Sequence, residues 1–150
     1  MFEYRCKVVR VIDGDTVVVD IDLGFGIEMR NQTIRLRGVD TPEVRTRDAV
    51  EKVYGNIAKE YVEYMLFAQE ESEGYVVLKS YTYSGKYGRT LGDFIVKESS
   101  LVEMLIDEHA GVEYIATESK EDRAKKHVLN RTLMSEAMLA GDISMLAGHM

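Results

Sequence analysis

The sequence predicts a single domain of α+β class: a small five-stranded β-barrel with about three helices packed on it. Three observations carry that prediction. The chain has 150 residues, one ordinary domain's length. Its first third is rich in β-branched and aromatic residues separated by glycine turns, and the remainder alternates helical with strand periodicity. Its composition, 45% hydrophobic and 30% charged, belongs to a globular chain and not to a disordered one. A single cysteine, Cys6, excludes a disulfide framework and a multi-cysteine zinc site. No apolar run approaches the ~20 residues of a membrane span.

Residues 2–12 read as the first strand and residues 16–22 as the second, with Asp13-Gly14 between them as a hairpin signal. Gly24-Phe25-Gly26 makes the next turn. A third strand follows over about 27–37, with Ile34 and Leu36 on one face and Arg35 and Arg37 on the other. Residues 38–56 hold the single proline, Pro42, many charges and Gly55-Asn56, and read as a loop in which helix is open from Asp48 onward. Asn56 is an N-cap for a helix over about 57–70, whose apolar stripe is Ile57, Tyr61, Tyr64, Met65 and Ala68. Residues 75–83 and 89–96 read as the fourth and fifth strands, joined at Ser84-Gly85. Ser100 and Glu103 form a capping box that opens a short helix ended by Gly111. A third helical stretch runs from Glu118 to about Ala140, with Val128, Leu129, Leu133, Met134 and Met138 as its stripe. Three hairpin strands, a helix, two more strands and then helices make the OB-fold the natural candidate. There is no internal repeat and no interdomain linker.

Three segments concentrate chemistry, though each taken alone also reads as an ordinary turn. In IDGDT, Asp13 and Asp15 flank Gly14, and Asp15 begins a strand, where an acid is disfavoured unless something uses it. In IRLRGVDTPE, Arg35, Asp40, Thr41 and Glu43 fall close together. In SGKYGRT, Lys86, Tyr87 and Arg89 surround Gly88. Taken together they make a consistent site. Asp15 and Asp40 are hard oxygen ligands of the kind Ca²⁺ takes, with carbonyls and water in the remaining positions. Two arginines supply planar forks matched to phosphate oxygens. Glu43 remains to orient or deprotonate a water. This is the inventory for hydrolysing a phosphodiester. His109, His127 and His149 show no ligand spacing and read as ordinary structural or surface residues. Cys6, in a strand, reads as a buried and inert thiol.

On these residues the chain resembles the staphylococcal nuclease (thermonuclease) family. VIDGDTV at 11–17, IRLRGVDTPE at 34–43, Tyr54-Gly55 and KYGR at 86–89 stand in the family's order and with similar spacing, over about residues 7–116. The resemblance implies an OB barrel with three helices that cleaves DNA and RNA with one Ca²⁺, leaving 3′-phosphate ends. By motif position it implies that Asp15 and Asp40 are calcium carboxylates and that Thr41 gives its backbone carbonyl, with Asp13 behind them. Glu43 would be the general base. Arg35 and Arg89 would bind the scissile phosphate, Lys86 and Tyr87 a terminal phosphate, and Tyr114 would stack on a base. Ala116 stands where the family has a second tyrosine, the loop after Glu43 differs and carries Arg45 and Arg47, and little beyond residue 117 matches.

A net charge of −7 weighs against a nucleic-acid partner, because phosphate affinity comes largely from Lys and Arg. The surplus acid, however, lies almost wholly in residues 61–116. Arg35, Arg37, Arg45, Arg47, Lys86 and Arg89 are expected at one mouth around a divalent cation. Local field governs substrate approach more than net charge does, so modest, salt-dependent binding is expected. Two other functions compete with the metal-dependent phosphodiesterase. One is a non-catalytic OB-fold module that binds nucleic acid or protein. The other is an assembly subunit that uses an apolar helix face. A decayed module should have lost acids or arginines, and Asp15, Arg35, Asp40, Glu43 and Arg89 are all present. No membrane and no obligate protein partner is implied. With Met1 as the native start the protein is expected to be cytoplasmic; the mature form of a secreted protein would look the same.

Overall fold

A computed structural model describes residues 2–68, 74–84 and 89–142, without the side chains of residues 82–84. The described elements are β1 (Phe2–Asp13), β2 (Thr16–Asp22), β3 (Glu28–Leu36), β4 (Val39–Asp40), α1 (Ala49–Phe67), β5 (Tyr75–Ser84), β6 (Arg89–Val96), β7 (Ser99–Ser100), α2 (Leu101–Asp107), β8 (Val112–Glu113), α3 (Lys120–Arg131) and α4 (Glu136–Leu139). β1 pairs antiparallel with β2 and β5, β2 with β3, and β5 with β6. β3 then pairs in parallel with β6, which closes the five strands into the expected OB-type barrel. Register shifts in β1 at Val8/Arg10 and Val11/Asp13 let that long strand bend around the barrel.

The interior follows from strand alternation. Val17, Val19 and Ile21 of β2, Ile34 and Leu36 of β3, Leu78 of β5 and Phe94 and Val96 of β6 all point inward and are buried. Each contributes ~1.5–3 kcal/mol of apolar burial. α1 caps the barrel with Ala58, Tyr61, Val62, Met65 and Leu66, and α2 adds Leu101 and Leu105. Cys6 is buried as expected, and burial pushes its thiol pKa up to about 12. Buried Asp93 organises the start of α2 by accepting from Ser100 Oγ and Val102 N. Among the described residues no helix is long and apolar enough to cross a membrane.

Three expectations need correction. α1 begins at Ala49, not near residue 57. Its cap is Asp48, whose Oδ1 accepts from Val50 N (3.0 Å) and Glu51 N (3.1 Å), so the predicted cap, Asn56, lies inside the helix. Gly55, placed in a loop by the sequence, serves close packing within the helix: a Cβ on it would sit 2.4 Å from the Glu43 carbonyl oxygen. The buried face of α1 is rotated accordingly, and Tyr64 is left partly exposed. Secondly, the third helical stretch is two helices, giving four in all among the described residues. Thr132 Oγ1 bonds back to Leu129 O (2.6 Å) as α3 ends, and Ser135 caps α4 by accepting from Met138 N (3.2 Å). Thirdly, the predicted stripe splits: Met134 and Met138 are buried, whereas Val128, Leu129 and Leu133 are 58–65% exposed.

Candidate active site

The β1–β2 hairpin, the β3–β4 corner and the start of β6 converge on one end of the barrel. The Asp13↔Thr16 pairing leaves Gly14 and Asp15 at the hairpin tip. Gly14 is needed there for space, since a Cβ on it would meet Ala58 Cβ at 2.8 Å and Thr41 Cγ2 at 3.0 Å. The close approach swings Asp15 under β4. Its Oδ2 accepts from Thr41 N (3.0 Å) and lies 3.5 Å from Arg35 Nη1, and its Oδ1 accepts from Thr16 Oγ1 (2.9 Å). Arg35 Nη1 is spent on the carbonyls of Leu36 and Val39, both at 2.9 Å, and its Nη2 faces Asp40 Oδ1 at 3.4 Å. The guanidinium is therefore fixed by backbone geometry, with one edge turned to the acids.

Asp13, Asp15, Arg35, Asp40, Thr41, Glu43 and Arg89 line one cavity of about 440 Å³. Of the residues singled out in the sequence, these are brought together. Asp13 holds the loop that carries Glu43 by accepting from Val44 N (3.1 Å). Tyr114 lies instead at an adjoining cavity of about 730 Å³, which Ala116, Arg35 and Arg89 also line, and Arg123 sits over its ring at 4.7 Å. Lys86 and Tyr87 lie outside the described residues.

Burial is the main influence on two acids of this cavity, Asp15 and Glu43. Burial raises the pKa of Asp15 more than Arg35 and the hydrogen bonds from Thr41 and Thr16 lower it. Glu43 is raised as well, first by partial burial and then by repulsion from Glu51, Asp13, Asp40 and Asp15. Thr41 Oγ1 is buried beside them with no hydrogen-bond partner. Hard oxygens of this sort suit a hard divalent cation. Among the described residues no three His, Cys, Asp or Glu side chains gather closely enough to cage a metal unaided. A set of two carboxylates, a carbonyl and water remains compatible with that.

Two contributors escaped the sequence reading. Glu51, in the first turn of α1, steadies the Glu43 loop by accepting from Glu43 N (3.3 Å) and Thr46 Oγ1 (3.2 Å). Helix α3 forms a further wall of the cavity through Lys120, Arg123, Ala124 and His127. His127, read as an ordinary residue, has Nε2 2.7 Å from Asp40 Oδ2. The signal was present as a polar stripe: Lys120, Arg123, His127 and Asn130 recur at helical spacing.

The family described as staphylococcal nuclease homologue matches residues 33–136. A thermonuclease of Staphylococcus hyicus is 36% identical over 89 residues, 59% of this chain and 47% of that protein, so the match spans about half the relative's length. The matched segment runs from the strand bearing Arg35 to α4 and covers more than half of the chain, with a closed OB-type barrel around it, so the chain belongs to the staphylococcal nuclease homologue family.

Proposed function

We propose that this protein is a calcium-dependent nuclease that hydrolyses phosphodiester bonds of DNA and RNA and leaves 3′-phosphate ends. The observation that carries the reading is the meeting of Asp15, Asp40, Arg35, Glu43 and Arg89 in one cavity from three separate stretches of chain. The Asp15 and Asp40 carboxylates and the Thr41 carbonyl would hold the cation. When bound, it would offset charge on the phosphate and acidify a coordinated water.

The chain's own residues do the rest. Arg35, already fixed by the Leu36 and Val39 carbonyls, meets a phosphate without having to reorganise, which is where preorganised charge is most effective. Arg89 lines the same cavity from β6 and would complete the clamp on the scissile phosphate. Glu43, exposed at the rim on a loop held by Asp13 and Glu51, would orient the attacking water and accept its proton. Tyr114, whose ring has the Arg123 guanidinium over it at 4.7 Å and that of Arg35 at 5.9 Å, would stack on a base. Lys86 and Tyr87 would contact a terminal phosphate.

The test is cleavage of an end-labelled oligonucleotide with analysis of the product ends. Chelation should abolish cleavage, and calcium should restore it better than zinc does. Glu43→Ala and Arg89→Ala should each lower the rate ~10²-fold or more with the fold intact. Near-parent turnover in both variants would remove their assigned roles.

A further inference from the structure

Helix α3 has no task at the cation site in the reading above, yet its His127 lies closer to Asp40 than Arg35 does. We propose that His127 is a positioning residue for Asp40, and that through it α3 becomes part of the cation site. This rests on the reading of Asp40 as a calcium carboxylate.

Asp40 needs such a partner. It sits in a two-residue strand, β4, paired with the equally short β8. Its Oδ1 has a long contact to Arg35 Nη2 at 3.4 Å, whereas its Oδ2 has His127 Nε2 at 2.7 Å. An ionised carboxylate only accepts, so Nε2 carries the proton and donates. The second lone pair on Oδ2 remains available to a cation. Both side chains are largely screened from water, at 13% exposure for His127 and 23% for Asp40.

The contact is built into the fold. Asn130 Nδ2 donates to His109 O (2.8 Å) and Gly111 O (3.3 Å), and Lys126 Nζ donates to Glu113 O (2.7 Å). These bonds register α3 against β8. β8 in turn registers against β4 through Asp40↔Val112 and Val39↔Glu113. His127 thus reaches Asp40 from a helix anchored to the strand that pairs with Asp40 itself. α3 buries no residue, so its orientation is set by these directional bonds and not by apolar packing. A carboxylate held in one rotamer spares the ordering cost on cation binding, and removing the partner that holds a ligand costs ~10–100-fold in metal affinity.

Calorimetric titration with calcium, at one pH and salt concentration, tests the proposal without recourse to activity. His127→Ala should weaken calcium binding ~10-fold. His127→Gln, which can present an amide N–H to the same oxygen, should restore it. His127→Asn, polar but too short to reach Asp40, should behave as the alanine variant does, and carries the test if the alanine variant fails to fold. Parent-like or tighter calcium binding in the alanine and asparagine variants would overturn the role, as would a glutamine variant as weak as alanine. A parent protein that binds no calcium would overturn the calcium reading itself, and this role with it.

Discussion

Helix α1 turns six residues into the protein, Gly55, Ala58, Tyr61, Val62, Met65 and Leu66, and closes the barrel with them. Helix α3 buries none, and leaves Val128 and Leu129 in solvent. Both nevertheless reach the site, α1 through Glu51 and α3 through His127. The difference separates two tasks. α1 is held by area removed from water, which is strong and undirected. α3 is held by hydrogen bonds and ion pairs, which add less stability but fix direction. Changes in α1 should therefore register mainly in stability, and changes on the outer face of α3 in very little.

The largest effect is expected at the bottom of the α1 face. Leu66→Ala should cost ~2–5 kcal/mol in denaturant unfolding, the range for a large-to-small change in a packed core. A loss within the range of surface substitutions would mean that α1 is not a core element. Gly55→Ala gives a smaller but more telling effect. Helix propensity alone predicts a gain of ~1 kcal/mol for this change. The new Cβ would meet Glu43 backbone atoms at 2.4 and 2.7 Å, so a net loss of ~1–3 kcal/mol is expected, with activity reduced as the Glu43 loop shifts. A more stable, fully active variant would show that helix and loop are not in tight contact. The smallest effect belongs to Leu129→Ala, which should change stability by no more than ~0.5 kcal/mol in the same unfolding measurement. A core-sized loss there would erase the contrast between the two helices.

The same contrast explains what the sequence disclosed. The barrel strands were legible because β-branched and aromatic residues gather in short runs bounded by turn residues; residues 16–22 and 89–96 were read to the residue. The charged cluster was legible only when its segments were taken together, since the runs holding Asp15, Arg35, Asp40 and Glu43 each read singly as an ordinary turn. The sequence leaves the start of α1 at Asp48 open and sets the helix near residue 57 because Gly55-Asn56 reads as a turn and cap, while the reason for the glycine is a neighbour a dozen residues earlier in the chain. α3 was misread for a deeper reason. Its apolar residues were taken to mark the packed side, but the side facing the protein is the polar one. A helix docked on a charged cavity inverts the usual pattern, and His127 meets a partner 87 residues away that no local spacing indicates.

The parallel seam between β3 and β6 has a consequence of another kind. It sets Thr33 opposite Arg89 and Arg35 opposite Leu91, so the two guanidinium-bearing residues are spaced by ladder geometry, with strands ~4.8 Å apart, and not by any loop. Under the proposed function, a change in length of the segment between α1 and β5 would leave the spacing of these two arginines unaltered. The same seam joins stretches far apart along the polypeptide, so under the proposed function a nascent chain would have no assembled phosphate grip until β6 had paired with β3.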